Sequence, residues 1–333
     1  MASSFGFHAH ELTLQRFAMS TNYTDEQLRL AARLYYVDGL GQTAVARFVK
    51  VSQTKVSRLL ALAKERGIVR ISVAEYEPRD ATLEKKLRSA FHIKSVAVVK
   101  TVEKAGVEDA RRATGHFGAD FVRALIPARS TVAIAGGRTM RELVATLPEA
   151  EIKGLTVLQG MGSIDSTVTA VDALELGREM ARRWSGRFCM INTPAFVPDA
   201  KTRDAFLAID QIKAVWQRFK SVDVALVGVG TLANSVFVER GILNERDVEG
   251  LRKAGAVGEI FGRFFDRRGR ECTTEWQRRI ISMSIDQLRK VPQVVAIVTG
   301  ADRAEALASA IRGGLIKALV IDDRGAASLL SHS

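Results

Sequence analysis

Apolar positions along this chain follow two rhythms, and the rhythm changes near Pro78. Upstream, Leu28, Ala31, Ala32, Leu34 and Tyr35 recur at helical spacing. Thr24 precedes them as an N-cap, Asp25 and Glu26 suit the positive end of the helix dipole, and Gly39 and Gly41 end the helix. A shorter helix is predicted over about Gln42–Val49 and a third from Ser52, as its cap, to about Arg66, with Gly67 as the stop. Val45, Val49, Val51, Val56 and Leu59 give these helices a shared inner face, and Ala46 is small enough for them to cross closely. That is the spacing of a helix-turn-helix. Its turn position holds Lys50 where glycine is common, so either Lys50 adopts a left-handed backbone or the turn is of another kind. After Gly67, residues 68–73 alternate apolar and polar, predicting a short strand that makes a wing. Arg70 there either approaches phosphate or sits in a purely structural pairing.

Beyond Pro78, the stretch Ala81–Phe91 carries Leu83, Leu87 and Phe91 on one stripe and reads as a connecting helix that also has the face to pair subunits. Short apolar runs then alternate with amphipathic stretches. Strands are predicted at Ser95–Val99, Thr131–Ala135, Leu155–Leu158, Arg187–Ile191, Val222–Val227, Val294–Val298 and Ala318–Ile321. Helices are predicted at Glu108–Leu125, Met140–Leu147, Val168–Trp184 and Arg303–Arg312. The alternation predicts a largely parallel sheet covered on both faces, with ligands bound beyond the carboxyl ends of its strands. The fold class expected is therefore α/β with a small all-α N-terminal module, a winged helix-turn-helix joined to a parallel-sheet domain. The expected divisions are a flexible extension over 1–22, a DNA-binding domain over 23–77, a linker helix over 78–93 and an effector-binding domain over 94–333.

Charge sharpens the reading of the first module. The chain carries a formal net charge of +12, a weak signal by itself. Its distribution says more. Between Arg29 and Arg70 stand Arg29, Arg33, Arg47, Lys50, Lys55, Arg58, Lys64, Arg66 and Arg70, opposed only by Asp38 and Glu65. With Val56, Leu59, Leu60 and Ala63 turned inward, the third helix presents Gln53, Thr54, Lys55, Ser57 and Arg58 outward, residue types that read base edges or grip phosphates. An ordinary solvated helix face is the plainer alternative; the cap, the inner-face pattern and the basic excess together favour duplex DNA. Cys189 and Cys272 lie far apart, and the five histidines show no metal-ligand spacing beyond His8 and His10, so neither metal nor cofactor is expected. No apolar run is long enough to span a bilayer and the first residues do not read as a signal peptide, so a cytoplasmic protein without a membrane partner is expected.

Three strand-end loops carry candidate chemistry. Gly136-Gly137-Arg138-Thr139 follows a strand and opens a helix, so backbone amides, the helix dipole and two side-chain donors all suit an anion; the alternative is a tight turn. Gly228-Val229-Gly230 is a second close-approach turn. In the third, Gly255–Glu259, Glu259 has the chemistry to accept hydrogen bonds from sugar hydroxyls, or is a surface carboxylate or the partner of a neighbouring arginine.

These stretches, with Asp223–Gly230, Gly255–Ile260 running on to Phe264–Gly269, and Ile311–Leu315 followed by Leu319–Asp322, make the chain resemble the SorC family of bacterial sugar-responsive regulators from about Tyr23 to Leu330. The resemblance implies an effector domain similar in fold to ribose-phosphate isomerases and glucosamine-phosphate deaminases, and a homo-oligomer, dimer or tetramer, that binds operator DNA and responds to a sugar, polyol or sugar phosphate. It further implies that Gly136–Thr139 holds the effector's phosphate and that Glu259 contacts its hydroxyls. Gln159, Gly160 and Asn192-Thr193-Pro194 would line the same cleft. Arg303 stands where many members have the lysine of a Gly-Gly-x-x-Lys pattern, here begun by Gly300-Ala301, and arginine cannot form a Schiff base. The expected function is a transcriptional regulator of a carbohydrate-related operon, with no catalytic residue. The alternative is a phosphosugar isomerase or deaminase using Glu259 as base.

Overall fold

The computed structural model describes residues 23–333, in two compact units that divide between Tyr76 and Glu77. The extension expected over 1–22, with its His8 and His10, lies outside the described residues.

The first unit holds helices α1 (Asp25–Ala32), α2 (Gln42–Phe48) and α3 (Gln53–Glu65). Thr24 caps α1 as expected, in a reciprocal box in which its hydroxyl accepts from the Gln27 amide and its own amide donates to the Gln27 side chain. The helix continues as one π-helical turn, Arg33–Val37, before Gly39. Ser52 caps α3 by accepting the Lys55 amide. Leu28, Ala31, Val45, Val56, Leu59 and Ala63 meet in one core, each within 3% of complete burial. A fully buried Val or Leu contributes about 1.5–3 kcal/mol, so burial of this inner face favours the packing of the three helices. Lys50 has φ +54°, and the Val51 amide reaches back to the Ala46 carbonyl at 3.0 Å. This is the left-handed closure anticipated as one option for the turn. The expected wing strand is not formed. Residues 68–73 are irregular, with Ile71 and Val73 exposed, because among the described residues no neighbouring strand takes their backbone hydrogen bonds.

In the second unit the strands are β1 (Ser95–Val99), β2 (Thr131–Ile134), β3 (Thr156–Gln159), β4 (Arg187–Cys189), β5 (Val224–Val227), β6 (Gly258–Ile260), β7 (Arg263–Phe265), β8 (Gln293–Val298) and β9 (Ala318–Asp322). Seven of them form one parallel sheet in the order β1-β9-β8-β5-β2-β3-β4. These seven are the strands read from the apolar runs. The chain lays down β2, β3 and β4 in one direction, then returns to place β5 on the other side of β2. The gap beyond the carboxyl ends of β2 and β5 is thus a switch point, where open α/β sheets leave a crevice for ligands. Alternate residues of one strand enter opposite cores: Val224 and Leu226 lie on one face of β5, Ala225 and Val227 on the other. Both faces are therefore dry, as a parallel sheet requires.

Helix α4 (Ala81–Phe91), expected as a connector, packs on β1 and on the last helix, Asp323–Leu330, with Leu87 and Phe91 in the main core. Its stripe is used within this unit. The helix expected from Val168 begins only at Ala173, and β6 and β7 form an antiparallel hairpin where a strand-end loop was read.

Candidate functional site

A cavity of about 310 Å³ opens at the switch point, large enough for a small sugar derivative. Gly136, Gly137, Arg138, Thr139, Gln159, Gly228, Gly230, Glu259 and Arg303 all line it. Gly136 and Arg303, 167 positions apart in sequence, are thus brought together by strand order.

The loop after β2 is built by close approach. A Cβ on Gly136 would lie 2.6 Å from the Val171 carbonyl oxygen. Gly137 has φ +135°, accessible to glycine alone, and caps α6 (Arg138–Thr146). Its amide donates to Val171 O at 2.8 Å, so one donor expected to face an anion is already used to hold the segment before α7 (Ala173–Arg183). The first-turn amides of α6 lack intrahelical acceptors and supply the remaining helix-terminus donors. Thr139 Oγ1 lies 3.3 Å from Thr299 Oγ1 at the end of β8, and Arg138 sits half-exposed, 3.6 Å from Glu239.

Arg303 donates to Thr299 O at 3.0 Å and to Asp302 at 2.7 Å. Burial lowers its pKa, Asp302 opposes that shift, and the nearby charges of Arg111 and Arg138 add to it. Three guanidinium groups therefore share one region, which an anionic ligand would relieve. Gln159, almost fully buried, accepts the Ile191 amide at 3.3 Å, which leaves its amide NH2 for the cavity.

Glu259 stands on β6. Gly230 and Glu259 pair as an isolated antiparallel bridge, which fixes the hairpin to the loop after β5. The carboxyl accepts the Gly262 amide at 3.1 Å. Enclosure by protein pushes its pKa up to about 7, against the opposing hydrogen bonds from Ser235 and Gly262. It is neither a surface carboxylate nor the partner of an arginine.

Two expectations fail. Gly160 does not line the cavity: a Cβ there would meet the Phe261 ring at 2.2 Å, so its place is under the aromatic floor. Asn192-Thr193-Pro194 also lies behind the wall, where the Thr193 carbonyl accepts the Ser163 amide and the Pro194 carbonyl sits 2.3 Å from a would-be Gly162 Cβ. Among the lining residues missed are Arg111, Asp165, Asn234 and Arg240. Arg111 is buried among the small residues of α5 (Val107–Ala124), and a charge on such a stripe was a legible signal. Nothing local marks the other three.

On the first unit, Gln53, Thr54, Lys55, Ser57 and Arg58 are all exposed while Val56, Leu59 and Leu60 are buried, so the five candidate DNA-contacting side chains share a solvent face.

Residues 78–331 match the family model Sugar-bind, described as "Putative sugar-binding domain". The chain belongs to the SorC family of sugar-binding transcriptional regulators. It is 29% identical over 319 residues to the "uncharacterized transcriptional regulator YjhU" of Escherichia coli, covering 94% of this chain and 96% of that one. It is 28% identical over 305 residues to the deoxyribonucleoside regulator of Bacillus subtilis, covering 90% and 96%. The crystal structure of the full-length sorbitol operon regulator SorC from Klebsiella pneumoniae superposes with a TM-score of 0.70 at 25% identity, covering 92% of this chain and all of that one. This SorC-family chain shares with those relatives both the helix-turn-helix region and the sheet domain. Among its described residues no helix is long and apolar enough to cross a membrane, and no group of three or more His, Cys, Asp and Glu is arranged to hold a metal.

Proposed function

We propose that the protein binds operator DNA through Gln53, Thr54, Lys55, Ser57 and Arg58 of α3, and that a sugar, polyol or sugar phosphate in the switch-point cavity sets its operator affinity. The observation that carries this reading is the cavity itself: Arg138 and Arg303 beside the first-turn amides of α6, with the Glu259 carboxyl on another wall, on one chain with an exposed basic recognition face. Anion donors and a hydroxyl acceptor around one small cavity suit a phosphorylated or otherwise acidic carbohydrate. The relatives named for a sorbitol operon and for deoxyribonucleosides support the same ligand classes. Effector binding acts by favouring one arrangement of a homo-oligomer, dimer or tetramer, over another with different affinity for a two-fold operator. Such a protein works in the cytoplasm and catalyses nothing.

The test is fluorescence anisotropy with DNA from upstream of the protein's own operon, with and without a panel of sugars, polyols and their phosphates. Specific binding that Arg58→Ala abolishes with folding intact, and that at least one compound shifts, is the expected result. Operator affinity unchanged by Arg58→Ala would mean that α3 is not the reading helix.

One observation favours the enzyme reading: a carboxyl with a pKa near 7 beside cationic anchors is poised for proton transfer. Turnover of ribose 5-phosphate or glucosamine 6-phosphate that disappears in Glu259→Gln would establish it.

A further inference from the structure

The cationic side chains around the cavity are not all satisfied by protein. Arg240 ends the short helix Val236–Glu239, and its buried Nη1 has no hydrogen-bond partner. Its nearest counter-charge is Asp165, with Oδ2 at 3.6 Å, beyond hydrogen-bond range. The preceding residue, Glu239, holds the same relation to Arg138, again at 3.6 Å. Consecutive residues on a helical turn point about 100° apart, so Glu239 and Arg240 reach two different places on the cavity wall. Each place has a guanidinium and a carboxylate in an ion pair of 3.6 Å, too long for a hydrogen bond. Buried charged donors are ordinarily hydrogen-bonded, so Arg240 Nη1 marks a position whose proper acceptor is absent from the protein, while the half-exposed Arg138 offers a second guanidinium held only by a long, solvent-screened ion pair.

The carboxylates have room to leave. Asp165 stands on the segment Ser163–Asp172, which is fixed at one end by Ser163, whose amide donates to Thr193 O, and at the other by Val171, which accepts the Gly137 amide. Between these ends the segment is irregular, and Val168 on it is nearly half exposed. The Asp165 and Glu239 side chains are each about half exposed, so water readily solvates them once they are displaced.

We propose that the effector carries two separate anionic groups, one taken by Arg138 and the other by Arg240 in exchange for the carboxylates of Glu239 and Asp165. The proposal rests on the effector-responsive reading above and narrows its ligand class to acidic sugar phosphates and bisphosphates. Asp165 and Glu239 act as resident competitors: a neutral sugar offers nothing to replace them, and a ligand with one anionic group replaces only one. Because Asp165 belongs to the segment tied to Gly137, its release couples occupancy of the cavity to movement of that segment.

The experiment uses the full chain and four probes on one carbon skeleton: glucose, gluconate, glucose 6-phosphate and gluconate 6-phosphate. Affinities are read by calorimetry and thermal shift. One added charge-assisted contact should make gluconate 6-phosphate bind about tenfold more tightly than glucose 6-phosphate or gluconate. Arg240→Met should erase that advantage, so that gluconate 6-phosphate and glucose 6-phosphate bind this variant with equal affinity. Asp165→Asn, at a half-exposed position, should tighten gluconate 6-phosphate binding several-fold by removing a competitor. Equal affinity for the singly and doubly anionic probes, no binding of gluconate 6-phosphate, or indifference to both substitutions overturns the proposal. Failure of the regulator reading shows separately, as operator binding that neither Arg58→Ala nor any effector alters.

Discussion

Gly230 and Glu259 exchange two backbone hydrogen bonds, each 2.9 Å long, and so join the loop after β5 to the β6–β7 hairpin. The consequence is positional. The Glu259 carboxyl is oriented by backbone pairing on one side and by the Gly262 amide on the other, before any ligand arrives. A group held in this way needs little reorganisation on binding, which favours affinity.

That placement has a pH signature. Burial raises the Glu259 pKa from 4.5 to about 7, so between these values the native state keeps a proton that the unfolded chain has released. Stability is therefore highest below about pH 4.5 as far as this group is concerned, and it falls as pH rises through 7, by up to about 3 kcal/mol. Glu259→Gln, which stays neutral, should lose this dependence and gain on the wild type at pH 8. Melting temperatures of the two proteins from pH 5 to 8 check it; parallel curves would mean that the carboxyl is better solvated than its surroundings suggest.

Gly160→Ala should damage the cavity without entering it. The added methyl would meet the Phe261 ring at 2.2 Å and drive it toward the ligand. Overpacking of this kind costs about 1–3 kcal/mol. Phe261→Leu in the same chain should recover part of that loss, and a double-mutant cycle in thermal denaturation measures the coupling. Strict additivity of the two effects would place no contact between them.

Gly136→Ala and Gly137→Ala should both be harmful, for different reasons. At Gly136 the methyl collides with the Val171 backbone at 2.6 Å, while at Gly137 there is open space but φ is +135°. The second change should cost about 1–3 kcal/mol through backbone strain alone. Chemical denaturation of both variants checks this, and an unperturbed Gly137→Ala would show that the loop relaxes to another backbone geometry.

Lys50→Gly should leave the first unit at least as stable as the wild type, since Lys50 sits at φ +54° and a left-handed conformation costs a non-glycine residue about 1–2 kcal/mol. Lys50→Val should lower stability. Thermal unfolding of the two variants gives the order, and a Gly variant less stable than the Val variant would contradict the left-handed turn.

Much of the fold was legible because its signals are local. Apolar runs marked all seven strands of the parallel sheet, since a strand buried on both faces needs a continuous apolar stretch. Thr24 and Ser52 announced helix starts because a cap is a contact within four residues. The expectation for residues 68–73 failed for the complementary reason: alternation describes what a strand would look like, while a strand exists only when a neighbour accepts its hydrogen bonds. Gly258 and Glu259, read as the end of a loop, pair instead in β6, because their partner, β7, is equally short and is not visible as an apolar run.

For the site, the sequence by itself determined the chemistry of its pieces: two glycines before Arg138 and Thr139, a carboxylate after a glycine-bounded turn, an arginine after β8. Backbone permissiveness and side-chain type are properties of single positions, so they can be read one at a time. Only the tertiary structure decided which pieces share a cavity. The return of β5 to the far side of β2 brings Gly228 and Gly230 to Gly136; the hairpin lifts Glu259 into the wall; packing against Phe261 removes Gly160 from it; and a helix turn between them presents Arg240 to Asp165. Those relations depend on strand order and close packing between distant segments, which no local pattern encodes.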